Sequence, residues 1–315
     1  MELGYSFSSE EHSPRDVVAH AAAAEQAGFR FGLISDHYHP WIDRQGHSAF
    51  VWSVIGGIAN ATERFTIGTG VTCPTMRIHP AIVAQAAATC ACLMPGRFFI
   101  GVGTGENLNE HILGAKWPAP DERLEMLEEA IEVMRTLWQG GPQTHRGKHY
   151  IVENARVYDL PDESVPIAVA ASQPKAAELA GRAGDALVTV SADSEIVEKY
   201  KDAGGSGPVY AQFHVCWHDD EQQARKLAHE IWPNAGLKGA ASQELPLPEH
   251  FEQAAELVSE DDVAESVVCG PDPQRYLEKI EEFGNAGATH VYVHQIGPDQ
   301  QGFFDFARRT LLPKF

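Results

Sequence analysis

Residues 3–35 read LGYSFSSEEHSPRDVVAHAAAAEQAGFRFGLIS, and the fold is decided there. Leu3–Phe7 alternates apolar and small residues over a short run, as a strand does. Arg15–Ala27 is Ala-rich, with Ser13 placed to cap the first turn, Pro14 at the first helical position and Gly28 to close the last. Phe31–Ser35 is again a short apolar run. The stretch is therefore one strand–helix–strand unit whose connection, long enough for a helical crossover, predicts parallel pairing.

Outward from this unit the pattern repeats. Helical periodicity near 47–61 precedes a strand at 65–70, a helix at 80–93, a strand at 98–102 and a helix at 121–138. After an excursion around 140–161 come a strand at 167–170, a helix at 174–183 and a strand at 186–190. The last strands are expected at 209–216 and 290–294, with a long Glu-, Gln- and Ala-rich helical stretch between them. Counting from Leu3, eight strand candidates emerge, which predicts a closed (β/α)8 TIM barrel, a single domain over residues 1–315 with insertions after the later strands. An open doubly wound sheet fits less well, because no GxGxxG follows the first strand.

The chain has 24 Lys+Arg against 44 Asp+Glu, a net charge of −20 over 315 residues, so no basic face for nucleic acid is expected. No long uncharged apolar run and no basic-then-apolar leader occur, so neither a membrane span nor a secretory signal is expected. Five cysteines, an odd number without paired CxxC spacing, suit reduced thiols in a cytoplasm. The histidines show no HExxH or facial-triad spacing, so no metal site is expected.

In a barrel of this kind the chemistry sits just beyond the C-terminal strand ends. After the second strand comes SDHYHPW (35–41), which sets Asp36, His37 and Trp41 in such a segment, and an imidazole is the commonest general base. The same residues would also serve to cap a loop. After the fourth comes GVGTGENLNE (101–110), whose alternate glycines permit a planar ring or a phosphate to approach the backbone and equally suit a tight turn. Cys73, after the third strand, has no sequence-adjacent base and is not expected to be a nucleophile.

Taken together, SDHYHPW, GTGVTCPTMR (68–77) with HPAIVAQAAAT (79–89), GVGTGENLNE, EAIEVMRTLW (129–138) and AGRAGDALVT (180–189) resemble the luciferase-like barrel superfamily, and within it the coenzyme F420-dependent dehydrogenases. The resemblance implies a deazaflavin, coenzyme F420, in the barrel mouth and hydride transfer at its C5. It implies that His37 is the base, that Trp41 orients the substrate carbon and that Glu106 is the acid near ring N1. For the cofactor it implies contacts from Asp36, Thr72, Thr104, Gly105 and Asn109, a cis peptide at Gly70–Val71 behind the ring, and a loop at Ala171, Ser172 and Gln173 that departs from the relatives' Gly-rich sequence. Glu10 matches an acidic residue at the substrate edge.

Glucose-6-phosphate dehydrogenases of this type hold the phosphate with cations, whose approximate counterparts here are Ala192 or Asp193, Lys238, and Glu265 or Ser266. The resemblance therefore implies a neutral secondary alcohol or unphosphorylated sugar, with Trp41 and the Thr72-Cys73-Pro74 turn leaning toward the alcohol. Glucose 6-phosphate oxidation, an F420H2-dependent reductase, an FMN-dependent luciferase-like monooxygenase and a cofactor-binding module without turnover are the alternatives. Relatives form homodimers, so a homodimer is expected by analogy.

Overall fold

A computed structural model describes residues 1–237 and 239–315. Its strands are β1 (Glu2–Phe7), β2 (Phe31–Ile34), β3 (Thr66–Thr69), β4 (Phe98–Val102), β5 (Gln143–Arg146), β6 (Ile151–Ala155), β7 (Ile167–Ala170), β8 (Ala186–Thr189), β9 (Val209–Cys216), β10 (Val267–Cys269) and β11 (His290–Gln295). Eight of them, in the order β9-β11-β1-β2-β3-β4-β7-β8 and back to β9, close an all-parallel barrel. This is the predicted (β/α)8 architecture.

Local chemistry explains the first unit. Ser13 accepts the Asp16 N–H at 3.3 Å, Pro14 starts the helix, and Gly28 at φ 115° donates back to Ala24 and Glu25. Val17, Ala21 and Ala24, at i, i+4 and i+7, are the buried stripe of that helix. β2 is buried along its whole length, as a strand covered on both faces must be.

Phe31, Phe99 and Tyr210 fill the barrel's interior, the last two stacked at 4.9 Å and 12°. A Cβ at Gly4 would sit 2.4 Å from Phe31 Cζ, and one at Gly68 2.3 Å from a Phe99 ring carbon. These two glycines make room for the aromatic plug, which leaves the space above it as the site.

The structure corrects the expected elements in five places. The third strand ends at Thr69 rather than Gly70, and the helix expected from 47 begins at Val51. The excursion at 140–161 contains the antiparallel β5–β6 hairpin, whose half-exposed polar strands gave no apolar run. The helical stretch before the last strand contains β10, a three-residue strand that pairs with His214–Cys216 of β9, while β8 pairs with Val209–Ala211. Finally, a helix at Gln300–Thr310 follows β11, so the eighth unit is also complete. Lys238 lies outside the described residues. Among the described residues no helix is long and apolar enough to cross a membrane.

Candidate active site

A cavity of about 810 Å³ opens at the C-terminal strand ends, lined by Glu10, His37, Trp41, Gly70, Val71, Thr104, Gly105, Glu106 and the 171–173 loop, all expected there. The Gly70–Val71 peptide is cis and lies on this wall. In strand order it stands between the segment after β2, which carries His37, and the segment after β4, which carries Glu106.

His37 is held from several sides. Its Nδ1 pairs with the His39 carbonyl at 3.3 Å and lies 3.4 Å from the Glu10 carboxylate, and its ring meets Trp41 at 4.9 Å between centroids. Its carbonyl accepts the Ser48 hydroxyl at 2.7 Å. Glu10 is 2% exposed and accepts hydroxyls from Ser8 at 2.9 Å and Ser35 at 2.6 Å. The His39 carbonyl, an acceptor, keeps the proton on Nδ1, the buried Glu10 carboxylate backs the same nitrogen, and Nε2 is left for the cavity. Glu10 was expected at the substrate edge, and the structure adds this contact with His37.

Asp36, Thr72 and Asn109 are not brought to the cavity wall. The Asp36 carboxylate is taken by the Thr72 hydroxyl at 2.8 Å and Arg77 Nη2 at 2.9 Å. Arg77 also donates to Glu110, through its main-chain N–H at 2.8 Å and its Nε at 3.4 Å. Burial works to lower the Arg77 pKa, and the two carboxylates outweigh it and raise it. Asn109 Oδ1 accepts the N–H groups of Tyr38 and His39 at 2.9 and 3.2 Å, while its Nδ2 donates to Glu106 at 3.3 Å. These side chains shape the loops that carry His37 and Glu106, which is the physical reason they point away from the opening.

Cys73 is buried against Thr75 at 3.0 Å, with its thiol pushed well up by burial, so the Thr72-Cys73-Pro74 turn presents no group to a substrate. Gly105 sits at φ 76°, and a Cβ there would meet Cys73 Sγ at 2.6 Å. Gly105→Ala is accordingly expected to lower stability by about 2 kcal/mol, from the left-handed backbone and the overlap together, read as a lowered midpoint in urea unfolding.

Sequence reasoning missed His214 and His294, which also line the cavity. Both lie within strands β9 and β11 rather than in the segments after them, so a search of the following loops passes over them. Inward alternation on those strands was the signal that could have found them.

A closed parallel barrel with a carboxylate-backed imidazole and a second carboxylate at its strand ends defines an acid–base pocket of the (β/α)8 class. The chain belongs to the luciferase-like monooxygenase family, whose model matches residues 1–290. It is 35% identical to the F420-dependent glucose-6-phosphate dehydrogenase of Mycobacterium avium, over all of this chain and 98% of that protein. It superimposes on an F420-dependent secondary alcohol dehydrogenase in complex with an F420–acetone adduct, with TM-score 0.91 and 32% identity over 98% of each chain. The F420-dependent tetrahydromethanopterin reductase of Methanopyrus kandleri shares the fold, with TM-score 0.81 and 23% identity over the full length of both chains.

Proposed function

We propose that this protein is an F420-dependent oxidoreductase that transfers a hydride between the carbinol carbon of a neutral alcohol or unphosphorylated sugar and the deazaflavin of coenzyme F420. The observation that carries the reading is the Glu10–His37–Trp41 cluster on the same cavity as Glu106. The residues fit the cofactor: the cavity is large enough for a tricyclic ring, Gly70–Val71 offers side-chain-poor backbone at one wall, and Gly103 and Gly105 keep another open. When bound, F420 supplies the two-electron carrier at C5.

His37 Nε2 takes the hydroxyl proton as the carbinol carbon loses its hydride, and the Glu10 carboxylate stabilises the imidazolium that results. Trp41, packed between His37 and Phe251 at 4.9 and 5.2 Å, walls the substrate carbon and excludes water. Glu106, kept in place by Asn109, would supply the proton that the reduced ring takes up. Thr104, Gly105 and the Ala171-Ser172-Gln173 loop, which line the cavity, would make the remaining cofactor contacts, with Asp36 and Thr72 supporting them from behind.

A sugar phosphate fits less well. Among the described residues, the cavity's two cations are already held by carboxylates, Arg123 by Glu244 at 3.1 Å and Lys175 by Asp121 at 2.8 Å. A dianion there would compete with both carboxylates. We further read the protein as a cytoplasmic homodimer of one barrel domain spanning 1–315. Five free thiols support a reducing compartment, and resemblance alone supports the dimer.

The test is a titration with oxidised F420 and, separately, FMN, followed by addition of neutral alcohols, sugars and glucose 6-phosphate. Binding of F420 and bleaching by a neutral substrate are expected. Tight FMN binding without an F420 response would move the protein to the monooxygenases, faster turnover of glucose 6-phosphate would reverse the substrate assignment, and F420 binding without bleaching by any substrate in either direction would leave a binding module.

A further inference from the structure

Glu10 and Glu11 are consecutive, and each anchors a different histidine. Glu10 faces His37, as described above. Glu11, its side chain 3% exposed, accepts from Gly297 N–H at 3.0 Å and pairs with His294 Nε2 at 2.7 Å. His294 Nδ1 in turn meets His214 Nδ1 at 2.8 Å. Trp232 packs on both rings, at 4.5 Å from His294 and 5.8 Å from His214. The chain of contacts Glu11–His294–His214 therefore ends on the cavity wall, where His214 has only Nε2 unused. Gln212, two residues earlier on the same strand and also on that wall, donates its amide to Ser6 at 2.7 Å.

Burial and the adjacent His294 push His214 down to about 3, so at neutral pH it is an uncharged imidazole. The Glu11 carboxylate only accepts, so the His294 Nε2 proton lies on its side, His294 Nδ1 accepts from His214 Nδ1–H, and Nε2 of His214 is left as an acceptor. A hydroxyl donates to it. A phosphate dianion brings no proton to that nitrogen, and a hydrocarbon leaves it bare.

We propose that His214, oriented by His294 and Glu11, reads a hydroxyl of the substrate away from the reacting carbon, so that the substrate is a neutral polyhydroxylated ring rather than a monohydroxy alcohol or a sugar phosphate. This rests on the F420 oxidoreductase reading for turnover, and not for binding.

The experiment compares six-membered rings that differ in hydroxyl content: myo-inositol and D-glucose against cyclohexanol. In the native enzyme with F420, kcat/KM for the better polyhydroxylated ring is expected to exceed that for cyclohexanol at least a hundredfold, and His214→Phe is expected to shrink that ratio at least tenfold, chiefly through KM. Fluorescence titration with F420 checks that the variant still binds cofactor, and His214→Leu repeats the measurement if Phe disturbs the fold. A native ratio of one or less overturns the proposal, as does an unchanged ratio in a variant that binds F420. Saturation-transfer NMR of the protein alone, with myo-inositol and cyclohexanol in competition, reads the same preference without cofactor. Preference for myo-inositol there supports the proposal even if F420 fails to bind, and preference for cyclohexanol overturns it even if F420 binds.

Discussion

His37→Ala is expected to bind F420 with little change and to lose hydride transfer by about 10²- to 10⁴-fold, the usual worth of a positioned base. In the proposed reading His37 serves the substrate, whereas Gly70, Val71 and the 103–106 segment, on other parts of the same cavity wall, would hold the ring. Removing the imidazole should therefore leave cofactor fluorescence quenching intact and slow single-turnover bleaching of the deazaflavin. Glu10→Gln tests the supporting role. It keeps the shape and the hydroxyl contacts from Ser8 and Ser35 but removes the charge that steadies the imidazolium. Its kcat should fall less than that of His37→Ala, and combining the two should cost no more than His37→Ala alone, because Glu10 acts through His37. Full activity in His37→Ala would take this residue out of the mechanism.

Much of this was legible in the sequence, for a definite reason. Alternating strand and helix patterns predict the barrel, and the barrel rule then points to the segments after the strands that contain His37, Trp41 and Glu106, while the resemblance to the F420-dependent dehydrogenases supplies the roles expected of them. The rule identifies a segment and says nothing about which of its side chains turn inward. Asp36 and His37 are adjacent, yet the Asp36 carboxylate is held by Arg77 and Thr72 behind the wall while the His37 ring faces the cavity. Glu10 and Glu11 show the same divergence. Which partner each finds depends on side chains from the segment after β2 and from β11, which no local pattern contains. Val267–Cys269 was illegible for another reason. Three residues on β9's spare edge are too few to carry a period-2 signal, and their pairing depends on a strand some fifty residues away.

Arg77→Met is expected to be the most damaging single change outside the cavity, destabilising the fold by about 3–5 kcal/mol. Arg77 is 6% exposed and stands between Asp36 and Glu110, each 1% exposed at the side chain. Its removal strands two buried carboxylates at once, and it also removes the donor to the Asp36 carbonyl at 3.3 Å, next to His37. Activity should therefore fall along with stability. The pH dependence gives a sharper check than the midpoint alone. Burial raises Glu110 from 4.5 to about 7, and Arg77 opposes that rise. A folded-state pKa above the unfolded one means the native state binds the extra proton, so stability decreases as pH rises across that interval. Without Arg77 the opposing charge is gone, the rise is larger, and the variant's loss relative to wild type should stay nearly constant below about pH 7 and grow as the pH rises above it. Adding Glu110→Gln to Arg77→Met should recover part of the stability and flatten that slope, because one stranded charge is then gone. Urea unfolding at several pH values measures both. A loss that is the same at every pH, or a double variant no better than the single, would mean that Arg77 acts through packing and not through the two carboxylates.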